Sequence, residues 1–92
     1  MNKFLGKVVM TRGIKDCIAD DEVFTKEVLK ALLRYRNHDW GNLPEEDKRM
    51  NDEAIKNSND RVFAAYKTSQ GKIYIITEYD RSCTTILFSH EY

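Results

Sequence analysis

The chain has 92 residues, of which 41% are hydrophobic and 33% are charged, and its 15 basic residues are balanced by 15 acidic ones. One small α+β domain over residues 1–92 is expected, with a core that buries only about 60% of the surface of the unfolded chain. The zero net charge excludes the strongly basic footprint of a general nucleic-acid binder, although a local basic patch can still exist. It also leaves self-association unopposed by charge.

The cysteines and histidines give no pattern of a disulfide, metal or redox site. Cys17 and Cys83 form no Cys-x-x-Cys motif, and His38 and His90 have no metal-ligand spacing with each other or with a cysteine. The sequence shows no signal-peptide pattern and no apolar segment of membrane-spanning length. We therefore expect a cytoplasmic protein with reduced thiols, with no metal, no cofactor and no membrane partner.

Residues 4–11 begin the chain with a short apolar, β-branched segment that predicts a strand, in which Gly6 marks a bend or bulge. Gly13 is expected to end this strand, because glycine adopts backbone angles that are unfavourable for other residues. Residues 14–19 can form either a short helical turn or a loop. The position of this first strand in the sheet is left open between an edge and a central place.

A long amphipathic helix is predicted over residues 21–37. Asp20 or Asp21 can cap its N-terminus, and the basic residues near its end suit the negative end of the helix dipole. Apolar residues recur at helical spacing along one face. The stripe expected to face the core contains Phe24, Val28, Leu29, Leu32, Leu33 and Tyr35.

Trp40 follows this helix and supports two interpretations. It can pack as a lid over the end of the core, or it can stand exposed as an aromatic anchor for a partner, because Trp is enriched at binding hot spots. A second helix is then predicted from Asn42 and Pro44, where Asn42 can cap and Pro44 suits the first turn. Its apolar stripe is thin, so we expect it to lie on the surface.

The C-terminal third predicts three strands. Residues 61–67 alternate apolar side chains, and residues 72–79 and 84–88 form a hairpin around a turn at Asp80, Arg81 and Ser82. The predicted order is β-α-α-β-β-β, an antiparallel meander sheet covered on one face by two helices. Residues expected to be mostly buried are Leu29, Leu32, Phe63, Ile73, Ile75 and Ile86.

Two clusters of polar residues can be read as sites. The first turn of the second helix carries Glu45, Glu46 and Asp47, which are either solvated partners of the helix dipole or an acidic surface that is attracted to a basic protein. The hairpin offers hydroxyl groups and a guanidinium that can hold an anion, or that simply form cross-strand pairs and a capped turn. The residues of this candidate ligand site are Arg12, Thr77, Arg81, Thr84 and Thr85.

An ordered set of short segments over residues 10–92 resembles a family of short uncharacterised proteins found on plasmids, conjugative elements and phages of Gram-positive bacteria. The resemblance implies a mobile-element setting and brings no activity or catalytic residues. Small proteins of such elements often bind a host protein, including defence nucleases of the CRISPR type. The segments are Thr11-Arg12-Gly13-Ile14, Asp39-Trp40-Gly41, Glu46-Asp47-Lys48, Asn51-Asp52, Asp60-Arg61-Val62 with Tyr66, Ile75-Ile76-Thr77-Glu78, Asp80-Arg81-Ser82, Thr84-Thr85-Ile86-Leu87 and Glu91-Tyr92.

Three classes of function follow from these observations. The first is a non-enzymatic protein that binds a host protein, such as a nucleic-acid-processing defence complex, without contacting nucleic acid directly. The alternative is a small-ligand or anion-binding domain built on the hairpin cluster. An enzyme would need Cys83, His38 or the acidic residues to converge, which their spacing does not predict, so we expect none. The residues expected to bind the partner are Trp40, Glu45, Glu46, Asp47, Asp80 and Arg81.

Overall fold

A computed structural model describes residues 4–57 and 60–92. It has the predicted α+β class, with a four-stranded sheet and three α-helices in that part of the chain. The strands and helices in chain order are β1 (Lys7–Met10), α1 (Arg12–Asp20), α2 (Glu22–Arg36), α3 (Glu45–Asn57), β2 (Val62–Thr68), β3 (Gly71–Thr77) and β4 (Cys83–Phe88), followed by a 3₁₀ helix (Ser89–Glu91).

The sheet is mixed, so the prediction of a pure antiparallel meander is corrected. Strands β2, β3 and β4 form the predicted meander, but β1 pairs in parallel with β4, and the strand order is β1-β4-β3-β2. The helices between β1 and β2 carry the chain back to the end of the sheet at which β1 begins, so that β2 runs in the same direction as β1. This crossover places the N-terminal strand at an edge, beside β4.

Three helices cover the sheet where two were predicted, because residues 12–20 form a complete helix. The side chain of Thr11 caps α1 by accepting the N–H of Ile14 at 3.3 Å. Gly13 does not terminate β1 through its backbone angles. It lies inside α1, where a Cβ would come 2.6 Å from a carboxylate oxygen of Glu91. The Glu91 carboxylate, the end of a flexible side chain, would have to shift to admit it.

The core lies between one face of the sheet and the helices. Ile73, Ile75 and Ile86 are buried as predicted, whereas Phe63 is half-buried on the other face of β2. The predictions for Leu29 and Leu33 were wrong, because these residues are 57% and 52% exposed, and Leu32 is only half-buried. The side of α2 that faces the sheet instead presents Phe24, Val28, Ala31 and Tyr35.

Candidate functional site

The two arginines of the predicted ligand site are not brought together. Arg12 begins α1 just beyond Met10, which lies beside Ile86 near the end of β4. Arg81 precedes Cys83, at the start of β4. Because β1 runs parallel to β4, the length of β4 separates the two guanidinium groups. The structure therefore does not assemble the anion site proposed from the sequence.

The threonines of that predicted site are divided between the two faces of the sheet. Thr77 and Thr84 are buried on the helix-covered side, and Thr85 lies half-buried on the opposite side. The Thr77 Oγ1 is 2.7 Å from the hydroxyl of Tyr35 and 2.7 Å from Thr84 Oγ1. Thr84 Oγ1 donates to the carbonyl oxygen of Leu5 at 2.6 Å. These hydroxyls hold the core together, and Thr77 and Thr84 have no exposure to a ligand.

Arg81 is committed to backbone carbonyls. Its guanidinium donates to the carbonyl oxygens of Ala54 at 3.0 Å, Asp60 at 2.6 Å and Glu78 at 3.2 Å. Ala54 lies in the last turn of α3, whose carbonyls lack partners within the helix. Arg81 therefore joins the end of α3 to the β3–β4 turn, and this role leaves its guanidinium poorly placed to bind a partner.

Asp80 has a local role in the same turn. Its carboxylate accepts the backbone N–H of Ser82 at 3.0 Å. Hydrogen bonds from the side chain and the backbone of Ser82 lower the pKa of Asp80 below its usual value. This geometry is a common way of shaping a turn. The expected contribution of Asp80 to a partner surface gains no support from these contacts.

Trp40 is a lid over the core, so the interpretation of it as an exposed anchor is wrong. Only 3% of its surface is accessible. Its Nε1 donates to Asp52 Oδ1 at 2.9 Å, and its ring packs edge-to-face against Tyr35, with a centroid distance of 5.4 Å. A buried indole that has found its hydrogen-bond partner stabilises the junction between α2 and α3.

The acidic turn of α3 lies on the outside of the domain. Glu45 and Glu46 are exposed and Asp47 is half-buried, with Lys48 Nζ 3.7 Å from Glu45 Oε1. The opposite side of α3 is fixed to the rest of the domain by buried Asn51 and Ala54. The helix therefore presents these carboxylates outward from a fixed support.

Met50 stands exposed among carboxylates on the same helix, a feature that the sequence analysis missed. Its side chain is 58% accessible and borders two hollows of about 160 and 180 Å³. Asp47 lines the first hollow, Glu53 the second, and Asp60 both, and the first hollow is also lined by Arg61 and Phe63. We call Met50, Asp47, Glu53 and Asp60 the Met50 surface. The sequence carries a signal for this surface: Asp47, Met50 and Glu53 are spaced three residues apart, which places them side by side on a helix.

Nothing in the described ranges 4–57 and 60–92 resembles a metal or thiol centre. No group of three or more His, Cys, Asp or Glu side chains there can hold a metal ion. Cys17 and Cys83 are free and half-buried. Partial burial, with the negative charges of Asp21 and Asp20, raises the pKa of the Cys17 thiol, which is the opposite of what a nucleophile needs. None of the helices in the described ranges is both long enough and apolar enough to span a membrane.

Comparison with models of protein families, with curated proteins and with solved structures finds no match to this chain. The resemblance to a family of mobile-element proteins therefore stays a prediction.

Proposed function

We propose that this chain is a non-enzymatic, cytoplasmic accessory protein of a mobile genetic element that acts by binding a host protein. In the most specific form of the proposal, it inhibits a host defence system in the manner of an anti-CRISPR protein. The observation that carries the proposal is the Met50 surface, an exposed apolar side chain bordered by three carboxylates, with Arg61 at one side, on a helix that is fixed from behind.

The chemistry of this surface suits a basic protein partner. Methionine is enriched at interfaces because its flexible, polarisable side chain adapts to irregular surfaces. Carboxylates around it steer the approach of a positively charged partner and oppose the approach of an acidic one. An enzyme that processes nucleic acid presents a positive channel, and an acidic helix is attracted to such a channel much as phosphates are. Glu45 and Glu46 extend the acidic surface toward the start of α3.

The alternative functions have less support. A small-ligand function was expected to use Arg12 and Arg81 together, and these lie at opposite ends of β4. A thiol enzyme would need an activated cysteine, whereas the pKa of Cys17 is raised. Binding through the surface of α3 is therefore the function that the geometry supports best.

The test is a binding measurement with surface variants and a purified nuclease of a CRISPR system from a Gram-positive host. Replacing Glu45, Glu46 and Asp47 by Lys should slow association at least about tenfold at low salt, because charge steering acts on the association rate. Met50→Glu should instead speed dissociation. The matched control reverses three exposed acids elsewhere, Asp16, Asp20 and Glu22, and should retain binding. No binding by the wild-type chain, or equal loss in both triple variants, would contradict the proposal.

A further inference from the structure

The face of the sheet that points away from the core has a continuous apolar centre. Side chains alternate between the two faces of each strand, and strand register places Phe63 beside Ile76, which lies beside Thr85. The next row places Ala65 beside Tyr74 and Leu87. We call this the open face; it consists of Lys7, Val9, Arg61, Phe63, Ala65, Lys67, Lys72, Tyr74, Ile76, Glu78, Cys83, Thr85, Leu87 and Tyr92.

Three aromatic rings meet around a hollow on the open face. Tyr92 packs perpendicular to Tyr74 with a centroid distance of 5.8 Å. Phe63 and Tyr74 are half-buried, and Tyr92 is 66% exposed. Together with Arg61 and Ile76 they line a hollow of about 210 Å³. A flat aromatic guest can therefore reach the rings from solvent.

The open face is basic although the chain as a whole is neutral. Lys67 and Lys72 are directly paired at one end, and Arg61 and Lys7 lie toward the other. Glu78 is the acidic residue in the set that defines this face, and all five of these charged residues are exposed. The face thus combines four cations with one carboxylate, but Asp47 and Asp60 share a hollow with its Arg61. The excess of positive charge therefore lies at the Lys67 and Lys72 end, whose electrostatic complement is an anion.

Cations also stand next to the rings. Lys72 Nζ lies 5.7 Å from the centroid of Tyr74, and Arg61 Cζ lies 6.0 Å from the centroid of Tyr92. Each of these cations lies over one face of its ring, so a flat ligand stacks on the other face or displaces the cation, and in both cases its negative groups lie beside the cations. Single-stranded nucleic acid has both features at a regular spacing, since each flat base is joined to a phosphate. An acidic polypeptide offers the charge but lacks flat bases.

We infer that the open face binds single-stranded nucleic acid, with bases stacked on Tyr92, Tyr74 and Phe63 and phosphates beside Lys67, Lys72 and Arg61. A sheet with accessible aromatic side chains is an established platform for splayed bases. The centre of the face is closed, since Ala65, Ile76 and Leu87 are buried, so unpaired bases would reach the rings at the hollow beside Tyr92. The stacked bases of a duplex cannot reach these rings. This inference departs from the sequence-based expectation that the protein makes no direct contact with nucleic acid, and the experiment below decides between the two. It goes beyond the proposed host-protein function and does not depend on it.

The test uses fluorescein-labelled 12-nucleotide U and dT strands and measures anisotropy against protein concentration. The wild-type chain should bind with a dissociation constant below about 100 μM at low salt, and binding should weaken as salt rises, because phosphate contacts release counterions. Reversing Lys67 and Lys72 to Glu should weaken binding at least about tenfold. The matched double reversal of Lys15 and Lys26, both exposed on the helices, should change it less than about twofold.

A second pair of variants separates stacking from charge. Tyr92→Ala should weaken binding about fivefold or more, and Tyr92→Phe should bind as the wild type does, because the π face carries the interaction. Circular dichroism of each variant checks that the fold is intact. Absence of binding, equal weakening in both lysine double variants, or equal affinity for a 12-base-pair duplex or poly-aspartate would overturn the inference. So would competition by UMP as effective per nucleotide as the strand, which would indicate a mononucleotide site.

Discussion

The side-chain amide of Asn51 occupies the position of a neighbouring strand beside Phe63. Its Nδ2 donates to the carbonyl oxygen of Phe63 at 2.6 Å, and its Oδ1 accepts the N–H of Phe63 at 3.3 Å. Two residues further along, the N–H of Asn42 donates to the carbonyl oxygen of Ala65 at 2.8 Å. The outer edge of β2 is therefore covered by its own chain, which protects it from pairing with another strand. The same contact fixes α3, and with it the Met50 surface, to the sheet.

Asn51→Ala should lower the free energy of unfolding by about 2–3 kcal/mol, because both backbone groups of Phe63 lose a partner where little water reaches them. Urea denaturation followed by circular dichroism measures this change. Asn57→Ala, at an exposed position near the end of the same helix, should cost less than about 0.5 kcal/mol. Equal effects of the two substitutions would show that the amide of Asn51 is not the element that holds α3.

Gly41 should tolerate alanine much less well than Gly71 does. Both have positive φ, +72° and +114° respectively, so both variants carry backbone strain. A Cβ at Gly41 would overlap the carbonyl oxygen of Ala65, whereas a Cβ at Gly71 would meet open space. Gly41→Ala should therefore cost about 3 kcal/mol or more, and Gly71→Ala about 1–2 kcal/mol. Comparable melting temperatures for the two variants would contradict this close approach.

The buried hydroxyl chain has a direction that mutagenesis can test. Burial raises the pKa of Tyr35, so its hydroxyl stays protonated. The hydroxyls of Tyr35, Thr77 and Thr84 form a row between two backbone carbonyl oxygens, that of Val62 at one end and that of Leu5 at the other. The row contains four oxygen–oxygen contacts but only three hydroxyl protons. The Tyr35–Val62 contact is the longest at 3.0 Å. Tyr35 donates to Val62 and Thr84 donates to Leu5, so the one hydroxyl proton of Thr77 serves either Tyr35 or Thr84.

Thr77→Val should cost about 1 kcal/mol or less, because Tyr35 still donates to Val62 and Thr84 still donates to Leu5. Thr84→Val should cost more, about 1–3 kcal/mol, because the buried carbonyl of Leu5 then loses the hydroxyl donor. Thermal or urea unfolding of the two variants ranks them. The reverse order would mean that the chain of donation runs differently.

Stability should decrease in acid. The pKa of Asp39 is lowered by the guanidinium of Arg34, that of Asp21 by the N–H of Phe24, and that of Glu91 by the N–H of Phe88. Each carboxylate is therefore more acidic in the folded chain than in the unfolded one, where the pKa is about 4. Their stabilisation is complete above that pH and is lost as the pH falls through the folded-state pKa. The urea midpoint should fall between about pH 5 and pH 3; a constant or rising midpoint would contradict these contacts.

The sheet was largely predictable from the sequence because local patterns carry it. Apolar residues on both faces of the strand that contains Ile73 and Ile75 predicted a central strand. The turn residues after it predicted the hairpin. The parallel partner of β1 was not predictable, because pairing between distant segments leaves no local pattern. Leu29 was misplaced because helical periodicity gives the width of the apolar stripe but does not show which residues lie at its centre. In the structure the small Ala31 lies on the side of α2 that faces the sheet.

The candidate sites were less predictable, because the function of a polar side chain depends on which groups it meets. Arg81 was expected to meet a ligand, yet it meets the carbonyls of α3 and of its own turn. Trp40 was expected either as a lid or as an anchor, and only the packed structure decides between them. The open face was missed because its cations come from separate strands, and strand register is needed to place them together.

Plasmid interference in cells shows whether the chain acts on a host defence protein through the outer surface of α3. A Gram-positive strain with an active CRISPR system is transformed with a targeted plasmid while it expresses the wild-type chain, the triple Lys variant of Glu45, Glu46 and Asp47, or the control triple variant of Asp16, Asp20 and Glu22. We expect the wild type and the control to restore transformation, and the α3 variant to fail to restore it, at equal protein levels. Unrelieved interference with the wild-type chain, or full relief with the α3 variant, would contradict it.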